Sequence, residues 1–285
     1  MMQFRDGTLL VYMSMAPLAL AFERALECSI YRRFPFKRPV LDLGCGDGLF
    51  AHILFTEPVD TGIDPDPKEI ARARTLFSHH ELIECQGHAI PKPSGAYRTV
   101  FSNSVLEHIP MIEPVFREVH RLLAPGGRFY LTVPSPLFER YTILNTVLES
   151  CGCAGLAARY RLFCSRVLWK QQHYHFVDGW RSLAIASGFR VISAREYDPM
   201  CICLLNDALY PLAGFSLVEK RVFGRWVLFP GLRRSVMRIL SHSVDRMLNR
   251  SLNTGKRKTE SRSVRNHIRR FASVIRNLLL QDNRG

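Results

Sequence analysis

The chain lacks any stretch of the ~20 consecutive apolar residues that a bilayer-spanning helix needs, so no transmembrane segment is expected. Its eight cysteines lack a pattern. They are scattered through apolar stretches of a chain far larger than a disulfide-stapled mini-domain, which argues for reduced thiols in a cytosolic protein. Cys151/Cys153 and Cys201/Cys203 are each separated by a single residue and have no histidine pair at zinc-finger spacing, so no metal site is expected. Acidic charge is short only toward the C-terminus: residues 216–285 hold 17 Lys+Arg against 4 Asp+Glu, leaving 22 against 21 for residues 1–215. The formal charge of +14 is therefore the property of a tail on a near-neutral body, and not of a chain built throughout to bind nucleic acid.

What is present fits a globular core, since apolar residues make up 47% of 285 positions. The N-terminal stretch Thr8–Phe22 is apolar, follows Arg5 and contains Ala19-Leu20-Ala21, features a signal peptide would share. It runs on into Glu23, Arg24 and Glu27, however, with Leu18, Phe22, Leu26 and Ile30 at intervals of four. That is one face of an amphipathic helix, and residues 1–37 are read as a helical region capping the domain that follows.

The chemistry begins at Pro39-Val40-Leu41-Asp42-Leu43, a short apolar run followed by Gly44-Cys45-Gly46-Asp47-Gly48 and then by Leu49, Ile53 and Leu54 at helical spacing. This is strand, glycine turn, helix: the turn lets the backbone approach a ligand, and the helix start presents free N–H groups. Leu49 stands where a dinucleotide fingerprint needs a small residue, which disfavours a nicotinamide enzyme. A second strand, Val59 to Ile63, ends at Asp64, 22 residues after Asp42, where a carboxylate can accept hydrogen bonds from a ribose diol.

The strings VLDLGCGDGLF, GIDPDP, FSNSVLEHIP and LAPGGRFYLTVPSP, in that order, resemble the methyltransferase type-11 group of class I enzymes dependent on S-adenosylmethionine (SAM). The resemblance covers about residues 15–200. It implies an α/β fold of Rossmann-like, doubly wound character, with a mainly parallel seven-stranded sheet and helices on both faces. It further implies that Asp42, Gly44 and Gly46, with Cys45 between them, surround the methionine part of SAM, that Asp64 holds the ribose, and that the adenine lies near the end of the third strand, Glu81 to Cys85. There Gln86, followed by Gly87, replaces the family's usual Asp; its carbonyl oxygen can still accept from the adenine amino group. The fourth strand, Tyr97 to Phe101, leads into Ser102 and Asn103, placed to face the methionine moiety and the acceptor. The Asn/Asp-Pro-Pro-aromatic motif of base amino methylation and the Pro-Cys nucleophile of base C5 methylation are both absent here.

His108 follows that strand and is the candidate general base for an acceptor hydroxyl; its alternative role is to stabilise the start of a helix. A helix from Glu113 stops at Ala124-Pro125-Gly126-Gly127, and Arg128 to Val133 reads as the fifth strand. Residues 135–176 read as a substrate-covering insert ending in His173-Tyr174-His175-Phe176. Alternation in an extended segment places His173 and His175 on one side as substrate contacts; a metal pair lacking its third ligand and an ordinary surface loop are the other readings. Phe189 to Arg195 reads as a further strand, and no clear final strand follows, so the sheet is expected to have about six.

The expectation is a SAM-binding domain over 38–200 and a basic amphipathic helical extension over 201–285. The function expected is O-methylation of an amphiphilic or lipid-linked small molecule by a cytoplasmic enzyme, peripherally associated with an anionic membrane surface. RNA ribose methylation is the rival the basic tail permits, although few aromatics are interleaved there to stack bases. A catalytically silent SAM-binding scaffold is the other.

Overall fold

The computed structural model describes residues 1–197, 199–235, 237 and 238. The chain divides into two compact units: the first is Met1–Thr8, Glu27–Glu139 and Arg161–Glu196, and the second comprises Leu9–Leu26, Arg140–Tyr160 and the described residues from Tyr197 onward. The chain opens with two helices, α1 (Thr8–Met15) and α2 (Leu18–Tyr31). Pro17 separates them, because it has no amide with which to continue the first helix. The boundary between the units falls inside α2, after Leu26.

The first unit is a parallel sheet with helical connections. In chain order come β1 (Val40–Leu43), α3 (Leu49–Leu54), β2 (Val59–Asp64), α4 (Pro67–Leu76), β3 (His79–Glu84), β4 (Tyr97–Asn103), α5 (Ile112–Leu122) and β5 (Leu123–Thr132). The strands lie in the order β3-β2-β1-β4-β5, and every neighbouring pair is parallel. Chain progression from β1 runs outward in one direction to β3, then returns to β4 on the other side. The switch point therefore lies between β1 and β4, where ligands of open α/β sheets bind at the carboxyl ends of the strands.

Sequence dictates these elements locally. All four residues of β1 are buried, as a central strand covered on both faces requires. Asp66 accepts the Lys68 N–H at 2.8 Å and Pro67 begins α4 with its φ already helical. Helix α5 turns Val115, Phe116, Val119 and Leu122 inward at three- and four-residue spacing, onto Leu41, Leu43, Ile63 and Val100 of the sheet.

Two strand expectations are corrected. β5 begins at Leu123, not Arg128: Leu123 pairs with Tyr97 and Arg128 with Thr99, so Ala124-Pro125-Gly126-Gly127 bulges within the strand instead of ending the helix in a separate turn. Residues 189–195 form no strand, and among the described residues the sheet has five strands. Phe189 spends its N–H on Ala184 O at the end of the preceding helix, and its ring packs on Phe116, Phe129 and His120. Its apolar character serves side-chain packing, not a ladder.

The insert is largely helical. It contains α6 (Leu137–Arg140), α7 (Ile143–Ser150) and α8 (Ala154–Phe163), which continues into a wider π-helical turn over Cys164–Leu168; α9 (Val177–Ala186) follows. Residues 173–176 are non-helical, as expected for the histidine segment.

In the second unit α7 packs against α10 (Met200–Phe223), and Asp207 of α10 accepts the Ile143 N–H of α7 at 2.8 Å. No transmembrane segment is expected from uninterrupted apolar runs; α10 is long and apolar enough to cross a membrane by length and composition alone, with a mean hydropathy of 1.6 over its most apolar window. Asn206-Asp207 and Ser216 break the run when residues are read one at a time, but the helix around them remains apolar. Of the basic amphipathic helical extension expected over 201–285, residues 236 and 239–285 lie outside the described residues.

Candidate active site

The carboxyl edge of the sheet gathers the tips of all five strands. Cys45 and Gly44 both donate their N–H groups to Ile63 O, at 2.8 and 2.9 Å, which folds the turn after β1 over the end of β2. Gly44 has φ 77°, and a Cβ there would meet Val105 Cγ1 at 2.4 Å, so the position excludes side chains twice over. Gly46, at φ 52°, has nothing within 4 Å of where a Cβ would lie, so this backbone opens onto empty space at the switch point.

Asp64 ends β2 beside that opening. Its Oδ2 accepts the Gly46 N–H at 3.0 Å and its Oδ1 accepts the Asp66 N–H at 2.9 Å. Burial raises its pKa, and these two backbone donors offset only part of the rise. The carboxylate thus fixes the turn itself, and its remaining lone pairs suit a diol donor.

Asp42 is buried beneath the turn. His79 Nε2 lies 3.1 Å from Asp42 Oδ2, and Ser78 Oγ lies 2.9 Å from His79 Nδ1. Burial pushes the Asp42 carboxyl up, against the pull of His79. The carboxyl of Asp42 therefore acts first on His79, a partner the sequence reading missed by starting β3 two residues late, at Glu81. Cys45 is buried, and burial together with the charges of Asp42 and Asp64 pushes its thiol far above the range of a reactive thiolate.

At the end of β4, Ser102 is wholly buried: its Oγ donates to Leu43 O at 2.9 Å and its carbonyl accepts from Tyr31 Oη at 2.9 Å. The hydroxyl ties β4 to β1 and the backbone carbonyl ties it to α2, so this side chain does not face a ligand. Asn103 is part of a polar chain, donating from Nδ2 to Glu27 Oε2 at 3.0 Å and accepting from Thr132 Oγ1 at 2.9 Å. Glu27, in the last turn of α2, is fully buried. It reads in sequence as the polar face of an amphipathic helix, and only the tertiary fold brings it to the tip of β4. Gln86 is exposed just past β3, with Gly87 after it; a Cβ on Gly87 would stand 3.2 Å from Leu43 Cδ1.

His108 sits on a single turn of 3-10 helix, Leu106–His108, with its side chain 47% exposed. Its Nδ1 is 3.5 Å from Lys170 O and its Nε2 3.5 Å from Glu107 Oε1. The returning end of the insert is strapped to this turn, since Gln172 and His173 both donate their N–H groups to Glu107 O, at 2.7 and 3.1 Å. His173 Nε2 contacts Ile109 O at 2.8 Å, so one nitrogen of this candidate substrate ligand serves the strap. His175 is exposed, with ring centres 5.8 Å from His173 and 5.6 Å from Trp180. Among the described residues no group of three His, Cys, Asp or Glu is arranged to hold a metal.

A second acid escaped the sequence reading. Glu139 of α6 is fully buried, takes a short hydrogen bond from Tyr174 Oη, and burial pushes its pKa up to about 7. Tyr174 Oη also donates toward Pro136 O at 3.2 Å, so the tyrosine between the two histidines closes the insert's end onto its beginning.

A parallel sheet in the order 3-2-1-4-5, a glycine turn after β1 and an acid at the tip of β2 make a Rossmann-like α/β fold with its switch point between β1 and β4. Residues 41–131 match the family described as a methyltransferase domain. The chain is 34% identical over 113 residues to a ubiquinone biosynthesis O-methyltransferase of Vibrio atlanticus, covering 37% of this chain and 47% of that protein. It is 33% identical over 120 residues to an uncharacterized methyltransferase of Mycobacterium bovis, covering 41% and 61%. The chain thus spans about half the length of the curated relatives it matches. Among solved structures, a possible histamine N-methyltransferase of Thermotoga maritima aligns at TM-score 0.48 and 16% identity, over 61% of this chain and 74% of that one. The match to the methyltransferase domain family is confined to residues 41–131. The open backbone at Gly46 and the carboxylate of Asp64 beside it would suit the methionine and ribose parts of SAM.

Proposed function

We propose that this protein transfers the methyl group of SAM to a hydroxyl oxygen of an amphiphilic or lipid-linked small molecule held at a membrane surface. The observation that carries the reading is the open backbone at Gly46 bonded to the carboxylate of Asp64 at the switch point, in a segment similar to ubiquinone biosynthesis O-methyltransferases. SAM supplies a methyl already activated by its sulfonium. The task left to the protein is orientation, which can be worth ~7–11 kcal/mol. In this reading the turn Gly44–Gly46 receives the methionine part, Asp64 accepts from the ribose hydroxyls, Gln86 and Gly87 border the adenine, and Asn103 faces the acceptor. His108, on its exposed turn, would accept the acceptor's hydroxyl proton as that oxygen is methylated. His175 and His173 border the acceptor from the insert.

The experiment is incubation of the protein with methyl-labelled SAM and separated lipid, RNA and small-molecule fractions. Label in a hydroxyl-bearing lipid or lipid-like acceptor supports the reading. Label confined to RNA moves ribose methylation ahead, and SAM binding without transfer to any fraction favours a scaffold.

A further inference from the structure

Helix α10 is buried unevenly along its length. Ile202, Cys203, Leu204 and Asn206 in its first half are buried, and Asp207 is bonded to α7. From Tyr210 onward only Ala213 and Ser216 are buried, three residues apart on one face. On the opposite side Pro211, Phe215, Val218 and Val222 follow one another at four-, three- and four-residue steps, which is a continuous helical stripe. Phe215 is 75% exposed, Val218 62% and Val222 64%. Leu212, Leu217 and Phe223 flank the stripe and are also exposed.

We propose that this stripe is a docking surface for an anionic lipid bilayer, with the second half of α10 lying in the plane of the interface. The inference rests on the reading of an acceptor held at a membrane. Three observations select the bilayer and the orientation. The half-helix from Tyr210 to Phe223 is about 21 Å long, short of the ~30 Å hydrocarbon thickness, while the first half is held in the second unit by Asp207. Glu219, Lys220 and Arg221 close the helix, and burying such charges in acyl chains is costly, so the end of α10 belongs at headgroup level. The charge that follows is uniformly positive: Arg225, Arg233, Arg234 and Arg238 come after Lys220 and Arg221, and Lys220 Nζ lies 4.2 Å from the ring centre of Trp226. An apolar stripe ending in basic side chains and an interfacial tryptophan complements apolar chains beneath an anionic headgroup layer. Helix α7, packed on α10, exposes Ile143, Leu144 and Val147 as well.

The test uses the full chain and phosphatidylcholine vesicles with and without phosphatidylglycerol, read by co-sedimentation. Three proteins are compared: the wild type, a stripe variant with Phe215→Ser, Val218→Ser and Val222→Ser, and a tail variant with Arg262→Gln, Arg265→Gln, Arg269→Gln and Arg276→Gln. The substituted stripe residues are exposed, and SAM affinity by calorimetry together with circular dichroism verifies that each variant is folded. The wild type is expected to sediment with anionic vesicles. The stripe variant is expected to partition at least about tenfold more weakly, which is about 1.4 kcal/mol, with unchanged SAM affinity. The proposal is overturned if the stripe variant binds like wild type, if only the tail variant loses binding, if the wild type ignores the vesicles, or if the serines abolish self-association instead. Stripe-dependent binding without label in any lipid fraction leaves the docking surface standing and removes the proposed acceptor. Labelled lipid with an indifferent stripe does the reverse.

Discussion

Glu139 offers a perturbation whose sign and size follow from its surroundings. The side chain is fully buried and its pKa is raised from 4.5 to about 7, chiefly by burial, with the Tyr174 hydroxyl and Arg161 pulling the other way. A carboxyl whose folded pKa lies above its unfolded value favours the folded state fully below the unfolded pKa. That contribution is lost as pH rises from about 4.5 through about 7. At 1.36 kcal/mol per pKa unit, the loss is roughly 3 kcal/mol by pH 8 and beyond. Glu139→Gln removes the ionisation and keeps an oxygen for Tyr174, so the variant and wild type should be close in stability at pH 5. At pH 8.5 the variant should be the more stable by up to roughly 3 kcal/mol. Urea unfolding at both values, with the slope of the transition checked for constancy, measures the difference. A stability difference independent of pH, or a wild type that gains on the variant as pH rises, would refute the assignment of a raised pKa to Glu139.

Three further outcomes are expected. His79→Leu leaves the Asp42 carboxyl buried without the imidazole and should cost about 3 kcal/mol of stability, more at high pH where Asp42 is driven to ionise, as urea unfolding will show. Gly44→Ala places a Cβ 2.4 Å from Val105 Cγ1 at a positive φ; SAM affinity should fall with stability, by about 1–3 kcal/mol each, and an unaffected calorimetric titration would mean the turn accommodates a side chain. His108→Ala should lower turnover ~10²–10⁴-fold with SAM affinity unchanged, and unaltered turnover on an identified acceptor would return His108 to a structural role.

The glycine turn and Asp64 were legible because strand, turn and helix are local patterns and because an acid at a strand tip has one obvious use. The neighbours that position them were not. His79 looks like a loop residue until β3 pairs from Val59 onward and its ring is buried against Asp42. Ser102 reads as a ligand contact by its place after β4, yet its hydroxyl closes on Leu43 O. Glu27 and Glu139 each sit on a helix where acids ordinarily face water; only packing between distant segments makes them buried. In the same way Ala124-Pro125-Gly126-Gly127 carries the composition of a turn, and the bulge it forms depends on a strand, β4, that lies earlier in the chain. Phe189 shows the converse, an apolar residue with strand-like neighbours whose role is fixed by the ring cluster it completes.

The most direct test of a SAM site at the β1/β4 switch point is calorimetric titration of the full chain with SAM, its demethylated product and a nicotinamide dinucleotide, repeated with Asp64→Ala. SAM and the product should bind and the dinucleotide should not. Asp64→Ala should weaken SAM by ~1.5–3 kcal/mol, the scale of charge-assisted hydrogen bonds, since it removes both the proposed ribose acceptor and the anchor of the Gly46 amide. Equal affinity for the dinucleotide, or an Asp64→Ala protein that binds SAM as tightly as the wild type, would contradict the account.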